Sequence, residues 1–400
     1  QTGEDGEETR IYPYENLFAH AVGYASNGKF GIEALANYYL INSNVKLADK
    51  VASDVSGSKY PGDSVVTTLD VGLQEVAFQA LGIYKGAIIV SEPATGRILA
   101  MVSKPDFDPN EIDRIWDDLI KDKDSTVLLN RVTQGLYPPG STFKIVTALE
   151  YMRENPDSYG QYTYQCNGRY SSGQNTISCY HGSVHGFEDF TKSFAKSCNA
   201  SFVNIGMQLD RVKFNDTLNG LLFNQELPVT FAYNKSKLEV GANTSDADIM
   251  QAAIGQGTTQ VTPLHMNMLT CAIANRGMLM KPYLVEQVKN KEGNIIKQFN
   301  PDSYKRLLTE EEAAALTELM QEVVESGTGT KLSGLSYTAA GKTGSAEYSN
   351  VKTESHAWFT GFAPAQDPEV CLTIIIEGAG SGGDYAVPIA KRIFDEYFGA

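Results

Sequence analysis

The sequence has no uninterrupted run of eighteen apolar residues, and it has few basic residues for its length. A helix that crosses a bilayer needs about twenty mostly apolar residues, so we predict no membrane-spanning helix within these 400 residues. Lysine and arginine total 33 against 48 aspartate and glutamate, a formal net charge of -15. Nucleic acid and anionic lipid are bound by clustered positive charge, so we exclude nucleic acid as a partner and lipid as a ligand of this surface.

Cysteine and histidine are also scarce, with five of each. Neither a C-x-x-C pair nor an H-E-x-x-H motif is present, so we predict no metal site. Cys166 and Cys179 flank a loop rich in glycine and serine, and they can form a disulfide in an oxidising compartment. A zinc site formed by Cys179 with the neighbouring His181 and His185 is the less favoured interpretation.

The first 62 residues differ in character from the rest of the chain. They begin without methionine and with an acidic stretch, 1–8, that has nothing to bury, so we expect a disordered start. A small module with short helices, for instance around 32–40, should follow. We therefore divide the chain into an N-terminal region, 1–62, and a larger domain, 63–400, and we expect that a membrane anchor is missing from this chain.

Hydrophobic patterns predict strands near both ends of the larger domain and helices between them. Two runs rich in β-branched residues, joined by the turn-forming segment 92–96, predict a hairpin: 87–90 and 98–102. Three further strands are predicted near the C-terminus: 337–345, 356–364 and 370–377. The intervening region is mostly helical, and Thr309 followed by Glu312 predicts the start of one of its helices. A sheet assembled from both ends of the chain with helices inserted is an α+β architecture.

The first chemical motif is Ser141-Thr142-Phe143-Lys144. Among several S-x-x-K tetrapeptides, only this one opens an apolar helix directly behind a Pro-Pro-Gly stop; the others begin at Ser26, Ser43, Ser56, Ser193 and Ser349. Residues three apart share a helix face, so Lys144 can lie beneath Ser141. Poor solvation there would lower the pKa of the ammonium and provide a neutral base, which a serine nucleophile needs.

Two further motifs follow along the chain. Ser197-Cys198-Asn199 offers a second hydroxyl that can relay a proton and an amide that can bind a peptide. Lys342-Thr343-Gly344-Ser345 lies on a predicted strand, where a cation and hydroxyls suit a carboxylate. We interpret its glycine as making room for a substrate backbone. Each motif alone is weak evidence, because such short patterns are common.

In this order the three motifs match the signature of penicillin-binding proteins and their β-lactamase relatives. The chain most resembles class B penicillin-binding proteins, over nearly its whole length, in these segments: 24–40, 86–101, 137–144, 255–263 and 357–364. The resemblance implies an α+β fold in which a five-stranded antiparallel sheet is flanked by helices. It also implies an all-helical subdomain, roughly 105–330, inserted between the sheet strands, and a small N-terminal module.

The resemblance also implies a role for each motif residue. Ser141 would be acylated by a peptidoglycan stem peptide that ends in D-Ala-D-Ala, with Lys144 as general base and Ser197 as proton relay. Four further positions would bind the substrate: Asn199, Lys342, Thr343 and Ser345, with Gly344 between the last two. The backbone N–H groups of Ser141 and Ser345 would form the oxyanion hole. No cofactor is implied.

Several activities share this set of residues. A serine β-lactamase, a D,D-carboxypeptidase and a non-catalytic penicillin-binding module remain alternatives to a monofunctional transpeptidase. Glu239 and Asn243 have the spacing of the deacylating pair in one β-lactamase class, although the residues between them do not fit. The implied partners are stem peptides, β-lactams and other cell-wall synthesis proteins, and the implied location is the extracytoplasmic face of the bacterial membrane.

Overall fold

A computed structural model of the chain describes residues 9–42, 44, 62–347 and 355–400. The stretch 1–8, predicted to be disordered, lies outside the described residues. So do three of the alternative S-x-x-K serines: Ser43, Ser56 and Ser349.

The described strands are as follows in chain order: β1 Ser64–Thr67, β2 Gly86–Ser91, β3 Ile98–Lys104, β4 Thr163–Cys166, β5 Arg169–Ser172, β6 Asn175–Ser178, β7 Gly186–Asp189, β8 Met278–Met280, β9 Val285–Lys289, β10 Ile295–Gln298, β11 Ser303–Arg306, β12 Ala340–Glu347, β13 Ser355–Ala363 and β14 Val370–Ile376.

The described α-helices are α1 Ala19–Val22, α2 Gly31–Leu35, α3 Asn37–Ile41, α4 Val71–Leu81, α5 Ile112–Lys121, α6 Lys144–Glu154, α7 Phe190–Ala195, α8 Asn199–Gly206, α9 Arg211–Gly220, α10 Asp246–Ala252, α11 Pro263–Ala274, α12 Glu310–Glu325 and α13 Gly382–Phe398. Short 3₁₀ helices lie at Glu15–Phe18, Pro109–Glu111, Gly140–Phe143, Tyr159–Gln161, Tyr180–Gly182 and Thr330–Leu332.

A five-stranded antiparallel sheet with the order β12-β13-β14-β2-β3 forms the centre of the larger domain. The hairpin β2–β3 comes from the start of the domain and the meander β12–β13–β14 from its end, and they join where Gly86 of β2 pairs with Ile376 of β14. The predicted sheet built from both ends of the chain is therefore confirmed.

Both faces of this sheet are buried, and β2, β3 and β14 read as nearly continuous apolar runs. Ile88 and Val90 of β2 point into a core that they share with α4 and the C-terminal helix α13. Ala87 and Ile89 point to the opposite side, into the larger core that includes α6 and α11. Helices therefore cover both faces of the sheet.

The region between β3 and β12 is not entirely helical, which corrects the expectation for 105–330. Besides helices it contains the strand pairs β4–β7, β5–β6 and β8–β11, and β9 pairs with both β1 and β10. The paired strands β5 and β6 bury few side chains and consist mostly of polar residues. They therefore lack the apolar alternation by which a strand is recognised in a sequence.

The described N-terminal residues contact the larger domain through hydrogen bonds. Gln74 Nε2 of α4 donates to the backbone oxygen of Leu17 at 2.7 Å, and Asn130 Nδ2 donates to that of His20 at 3.1 Å. The strand β1 directly follows the predicted boundary and pairs with β9 of the larger domain. The boundary at residue 62 itself stays a prediction.

Candidate active site

The segment before Ser141 is fixed by backbone contacts on two sides. Tyr137 forms a two-way backbone pair with Val261, at 3.0 and 2.9 Å, and Gly140 N–H donates to the oxygen of Gly255 at 2.9 Å. Gly140 has a φ of 53°, and a Cβ there would come within 2.9 Å of the backbone oxygen of Ser345. Only glycine fits this turn without strain, because the conformation is left-handed and the strand β12 lies against it.

Ser141 follows this turn in the first turn of a helix. The predicted helix begins as the 3₁₀ segment Gly140–Phe143 and becomes α-helical at Lys144. Thr142 Oγ1 donates to the oxygen of Pro139 at 2.8 Å and so tightens the first turn. Ser141 lies in the first turn, where the N–H groups of a helix have no partner within the helix.

Lys144 is completely buried and is held by oxygen atoms of the second motif. Its Nζ donates to the backbone oxygen of Ser197 at 2.7 Å and to Asn199 Oδ1 at 2.8 Å, and it lies 3.3 Å from Ser197 Oγ. Burial, only partly opposed by nearby thiol and carboxylate groups, lowers the pKa of Lys144 to about 8. A neutral amine has two N–H donors and a lone pair. The two short bonds use the donors and leave the lone pair for a hydroxyl.

Lys342 approaches the same hydroxyl from the strand β12. Its Nζ donates to Ser197 Oγ at 2.9 Å and to the backbone oxygen of Thr343 at 3.2 Å. Burial and the charge of Lys144 lower the pKa of Lys342 well below its ordinary value. The Ser197 hydroxyl is therefore positioned between two buried amines, and their mutual repulsion favours a state in which one of them is neutral.

Two features hold this buried pair in place. Ser197 has a φ of 58°, a left-handed conformation that is costly for a serine and that turns its oxygen atoms toward the lysines. Aromatic rings lie beneath both cations: Lys144 Nζ is 5.4 Å from the ring centre of Phe202, and Lys342 Nζ is 5.5 Å from that of Phe194. Such rings offset part of the cost of removing an ammonium from water.

The rest of the third motif lines one wall of the site. Thr343 Oγ1 is hydrogen-bonded to Thr328 Oγ1, and Ser345 Oγ accepts a hydrogen bond from the N–H of Gly382 at 3.3 Å. A Cβ at Gly344 would lie 2.9 Å from the oxygen of Pro139 and 3.1 Å from Trp358 Cβ.

This placement gives Gly344 a structural role besides the one expected from the sequence. In that interpretation the glycine made room for a substrate backbone. In the structure the missing side chain makes room for the turn that carries Ser141, which Trp358 Nε1 also holds by donating to Pro138 O at 3.1 Å.

A family model described as the penicillin-binding protein transpeptidase domain matches residues 86–395. The chain belongs to this family. It is 31% identical to the peptidoglycan D,D-transpeptidase PbpA of Mycolicibacterium smegmatis, over 96% of this chain and 82% of that protein. It is 27% identical to the peptidoglycan D,D-transpeptidase MrdA of Acinetobacter baumannii, over 97% of this chain and 66% of that protein.

Solved structures agree with this assignment. The ceftriaxone acyl-enzyme of penicillin-binding protein A from Mycobacterium tuberculosis superposes with a TM-score of 0.87 at 27% identity, covering 97% of this chain and 92% of that one. The D,D-transpeptidase domain of an Eggerthella lenta peptidoglycan glycosyltransferase has the same TM-score at 29% identity, covering 100% and 94%. The predicted fold, class B family and enzyme class are confirmed. None of the described helices of this transpeptidase is long and apolar enough to span a membrane.

The transpeptidase cleft has a volume of about 560 Å³, and the predicted site residues converge on it. Its lining includes Ser141, Ser197, Asn199, Thr343, Gly344 and Ser345. The two lysines lie beneath this lining rather than in it, because both are fully buried. Glu239 and Asn243, whose spacing resembles that of the deacylating pair of a β-lactamase class, are not among the described residues that line the cleft.

Several cleft residues were missed by sequence analysis. Thr328, which follows α12 and has no role in the sequence analysis, is hydrogen-bonded to Thr343. The amide of Gln256 pairs with both the N–H and the oxygen of Glu347 at the end of β12, at 3.0 and 3.1 Å. The glycines on either side of Gln256 and Thr328 were the available signal, because cleft loops that approach a strand closely need small residues.

The remaining S-x-x-K serine of the inserted region is structural. Ser193 is fully buried, and its hydroxyl accepts a hydrogen bond from Ser201 Oγ at 2.7 Å. Ser193 lies on α7 and contacts α8 rather than the cleft.

The disulfide that the sequence left open is not formed. The Sγ atoms of Cys166 and Cys179 are 3.7 Å apart and both thiols are free, whereas a disulfide bond is about 2.05 Å long. The two thiols are not an isolated pair, because two other side chains lie about equally close to them. The Sγ of Cys198 lies 3.8 Å from that of Cys179, and His185 Nδ1 lies 3.5 Å from that of Cys166.

Proposed function

We propose that this chain is a peptidoglycan D,D-transpeptidase that cross-links stem peptides through an acyl-enzyme on Ser141. The observation that carries the assignment to Ser141 is the convergence of two buried lysines, Lys144 and Lys342, on the hydroxyl of Ser197 at the floor of the cleft. That arrangement supplies a base and a proton relay next to a serine at a helix N-terminus.

In the first step Ser141 Oγ attacks the carbonyl carbon of the penultimate D-Ala. The neutral Nζ of Lys144 accepts the hydroxyl proton, which is feasible near neutral pH because burial lowers its pKa. The new bond joins Oγ to the acyl carbon, and the bond from that carbon to the nitrogen of the terminal D-Ala breaks. The proton passes from Lys144 through Ser197 Oγ to this nitrogen, so the terminal D-Ala leaves as a neutral amine.

The developing oxyanion would be stabilised by the backbone N–H groups of Ser141 and Ser345. Support comes from the position of Ser141 in the first helical turn and from the short approach of β12, whose Ser345 oxygen lies against Gly140. Preorganised donors of this kind lower the activation barrier by several kcal/mol, about 3 for one donor.

The terminal carboxylate of the stem peptide would lie along β12. Thr343 and Ser345 offer hydroxyls on the cleft wall, and Thr328 adds a third. The Nζ of Lys342 lies beneath these hydroxyls, where it donates to Ser197 Oγ. Asn199, whose Nδ2 donates to the oxygen of Ser178 and whose Oδ1 accepts from Lys144, would hold the peptide at the opposite edge.

In the second step an amine from a neighbouring stem peptide attacks the acyl carbon. Its proton passes through Ser197 to Lys144 and from there to Ser141 Oγ as the bond from Oγ to the acyl carbon breaks, and the new amide is the cross-link. A β-lactam would enter the first step in the same way. Its leaving nitrogen stays tethered to the acyl group and blocks the acceptor, so the adduct persists.

The proposed substrate also indicates on which side of the membrane the enzyme acts. Peptidoglycan is outside the membrane, so we expect the chain to act at the extracytoplasmic face, held there by an anchor and in contact with other cell-wall synthesis proteins. A fluorescent penicillin that cannot cross membranes should label this protein in intact spheroplasts. Labelling that requires lysis would contradict this location.

The chemical proposal is tested by mixing the purified protein with fluorescent penicillin and following intact mass over hours. We expect one adduct per chain that persists, and none in Ser141→Ala. Ser26→Ala, which removes the serine of another S-x-x-K sequence, is the matched control and should be labelled like wild type. Rapid release of the label would indicate a β-lactamase, and an unlabelled wild type would indicate a binding module. A D-Ala-D-Ala peptide with an added amine then separates amide formation from hydrolysis by a carboxypeptidase.

A further inference from the structure

The hydroxyls proposed to bind the substrate carboxylate lie in the cleft, but the lysine of their motif does not. Thr343, Ser345 and Thr328 line the cleft, whereas Lys342 is fully buried and is not among the described lining residues. Its Nζ donates beneath the surface, to Ser197 Oγ at 2.9 Å and to the oxygen of Thr343 at 3.2 Å. Burial and a neighbouring cation also lower the pKa of Lys342 well below its ordinary value. A cation that contacts a carboxylate in the cleft would therefore have to come from another residue.

Two lysines do line the cleft, Lys196 and Lys331. Lys331 Nζ is 3.1 Å from Asp384 Oδ1, so its charge already has a carboxylate partner. Within the described part of the chain Lys196 forms no ion pair, and its Nζ donates to the backbone oxygen of Ser326 at 3.1 Å. A lysine without a counter-ion is unexpected in a chain with 48 acidic residues and 33 basic ones. Lys196 is therefore the lysine of the lining that is available to an anionic ligand.

Lys196 is packed against the loop that carries Thr328. The N–H of Thr328 donates to the oxygen of Ala195 at 3.3 Å, and the Lys196 side chain reaches Ser326 of the same loop. A Cβ at Gly327, between these two contacts, would lie 2.3 Å from the oxygen of Ala195, so this close approach requires glycine. Both ends of the Lys196 side chain are therefore anchored to the loop of Thr328.

Thr328 in turn connects Lys196 to the strand of the third motif. The Oγ1 atoms of Thr328 and Thr343 are hydrogen-bonded to each other. Ser345 lies two residues further along β12, and residues two apart on a strand share a face. The three hydroxyls and the Lys196 ammonium therefore lie in one part of the cleft.

We propose that Lys196 binds the terminal carboxylate of the stem peptide and selects substrates in which this carboxylate is free. The inference rests on the proposed function and deepens it. An ammonium on a flexible four-carbon chain can exchange a backbone oxygen for a carboxylate, and the new hydrogen bond is stronger because both partners are charged. In this arrangement Lys342 orients the Ser197 hydroxyl from below, and Lys196 contacts the carboxylate together with the three hydroxyls.

The test compares two ligands that differ in this one charge, a chromogenic cephalosporin with its free carboxylate and the carboxamide analogue of similar shape. Stopped-flow acylation gives, for each, the dissociation constant of the initial complex and the rate constant of acylation. Wild type should bind the carboxylate more tightly, and raising the salt from about 0.05 to about 0.5 M should reduce this preference. Lys196→Gln should weaken the initial complex of the carboxylate about tenfold. It should leave the carboxamide complex and both acylation rate constants nearly unchanged.

Three further variants serve as controls. Lys192→Gln is the matched one, because Lys192 is also exposed and also donates to a backbone oxygen, that of Phe187 at 3.1 Å, but is not among the described residues that line the cleft. It should bind both ligands like wild type. Lys196→Arg keeps the charge and should keep the preference for the carboxylate. Lys331→Gln removes the lysine that already has a partner, and it should also keep the preference.

The possible outcomes separate this inference from the proposed function. Wild type that binds both ligands equally, or Lys196→Gln that weakens both equally, overturns the inference, since a merely structural role would affect the two ligands alike. Loss of the preference in Lys331→Gln alone assigns the charge to Lys331 and overturns it as well. These results leave the acyl-enzyme on Ser141 intact. Wild type that is acylated by neither ligand overturns the proposed function and the role of Lys196 with it.

Discussion

Gly344→Ala tests whether this glycine serves the nucleophile turn rather than the substrate. The new Cβ would stand 2.9 Å from Pro139 O, 3.1 Å from Thr142 Cγ2 and 3.1 Å from Trp358 Cβ. Ordinary contacts are about 3.4 Å or longer, so the turn or the strand must move by a few tenths of an ångström. None of the three neighbours is the free end of a flexible side chain.

Two effects of known size follow from this displacement. Overpacking of a buried contact costs about 1–3 kcal/mol, so the free energy of unfolding should fall by that amount. Catalytic groups tolerate displacements of about 0.5 Å, and we expect acylation by a β-lactam to slow about tenfold because Ser141 moves with its turn. The rate constant for acylation should fall more than the affinity of the initial complex.

The assays are denaturant unfolding and stopped-flow acylation with a chromogenic cephalosporin. Gly220→Ala, at the end of α9, is the matched control, since a Cβ there meets no atom within 4 Å; it should not lower the free energy of unfolding and should leave acylation unchanged. If Gly344→Ala is as stable as this control and loses only affinity for the β-lactam, the glycine makes room for ligand and our argument is wrong.

Three further predictions concern the base, the support of the turn and a distant helix. The acylation rate should rise about tenfold per pH unit up to pH about 8 and level off above, because only neutral Lys144 accepts the proton. Lys144→Arg should be inactive throughout, and a flat wild-type profile would contradict this role of Lys144. Glu377→Gln should lower the free energy of unfolding by about 1–3 kcal/mol and slow acylation, because the carboxylate pairs with buried Arg131 at 2.7 Å and accepts from Tyr137 at 2.8 Å. Unchanged stability in denaturant unfolding would refute this supporting role of Glu377. Thr309→Ala should cost about 1 kcal/mol through loss of the capping box while acylation is unaffected, and a slower acylation would show that α12 supports the site more directly than we argue.

Local sequence rules predicted the secondary structure wherever apolar pattern and turn chemistry agree. The hairpin β2–β3, the three C-terminal strands and the capped helix α12 all lie close to their predicted positions. The short strands β4 to β7 were not predicted, because polar strands that bury few side chains leave no periodic signal.

The candidate reacting groups were also named from the sequence, and their roles stay predictions. Ser141 and Lys144 are three residues apart on a helix, so their proximity needs only local geometry. The resemblance to a family with the same three motifs supplied the rest, and the motifs do meet at one cleft.

What the sequence by itself determined is therefore local: a serine and a lysine three residues apart on one helix, the apolar strands at both ends of the larger domain, and a capped helix. Only the tertiary structure decided that Lys144 and Lys342 share one hydroxyl, that Gly344 admits the nucleophile turn, and that Cys166, Cys179, His185 and Cys198 form one cluster. The physical reason is that these contacts join segments far apart in the chain. Side-chain distances across such segments depend on how helices and sheet pack, and no spacing along the sequence encodes them.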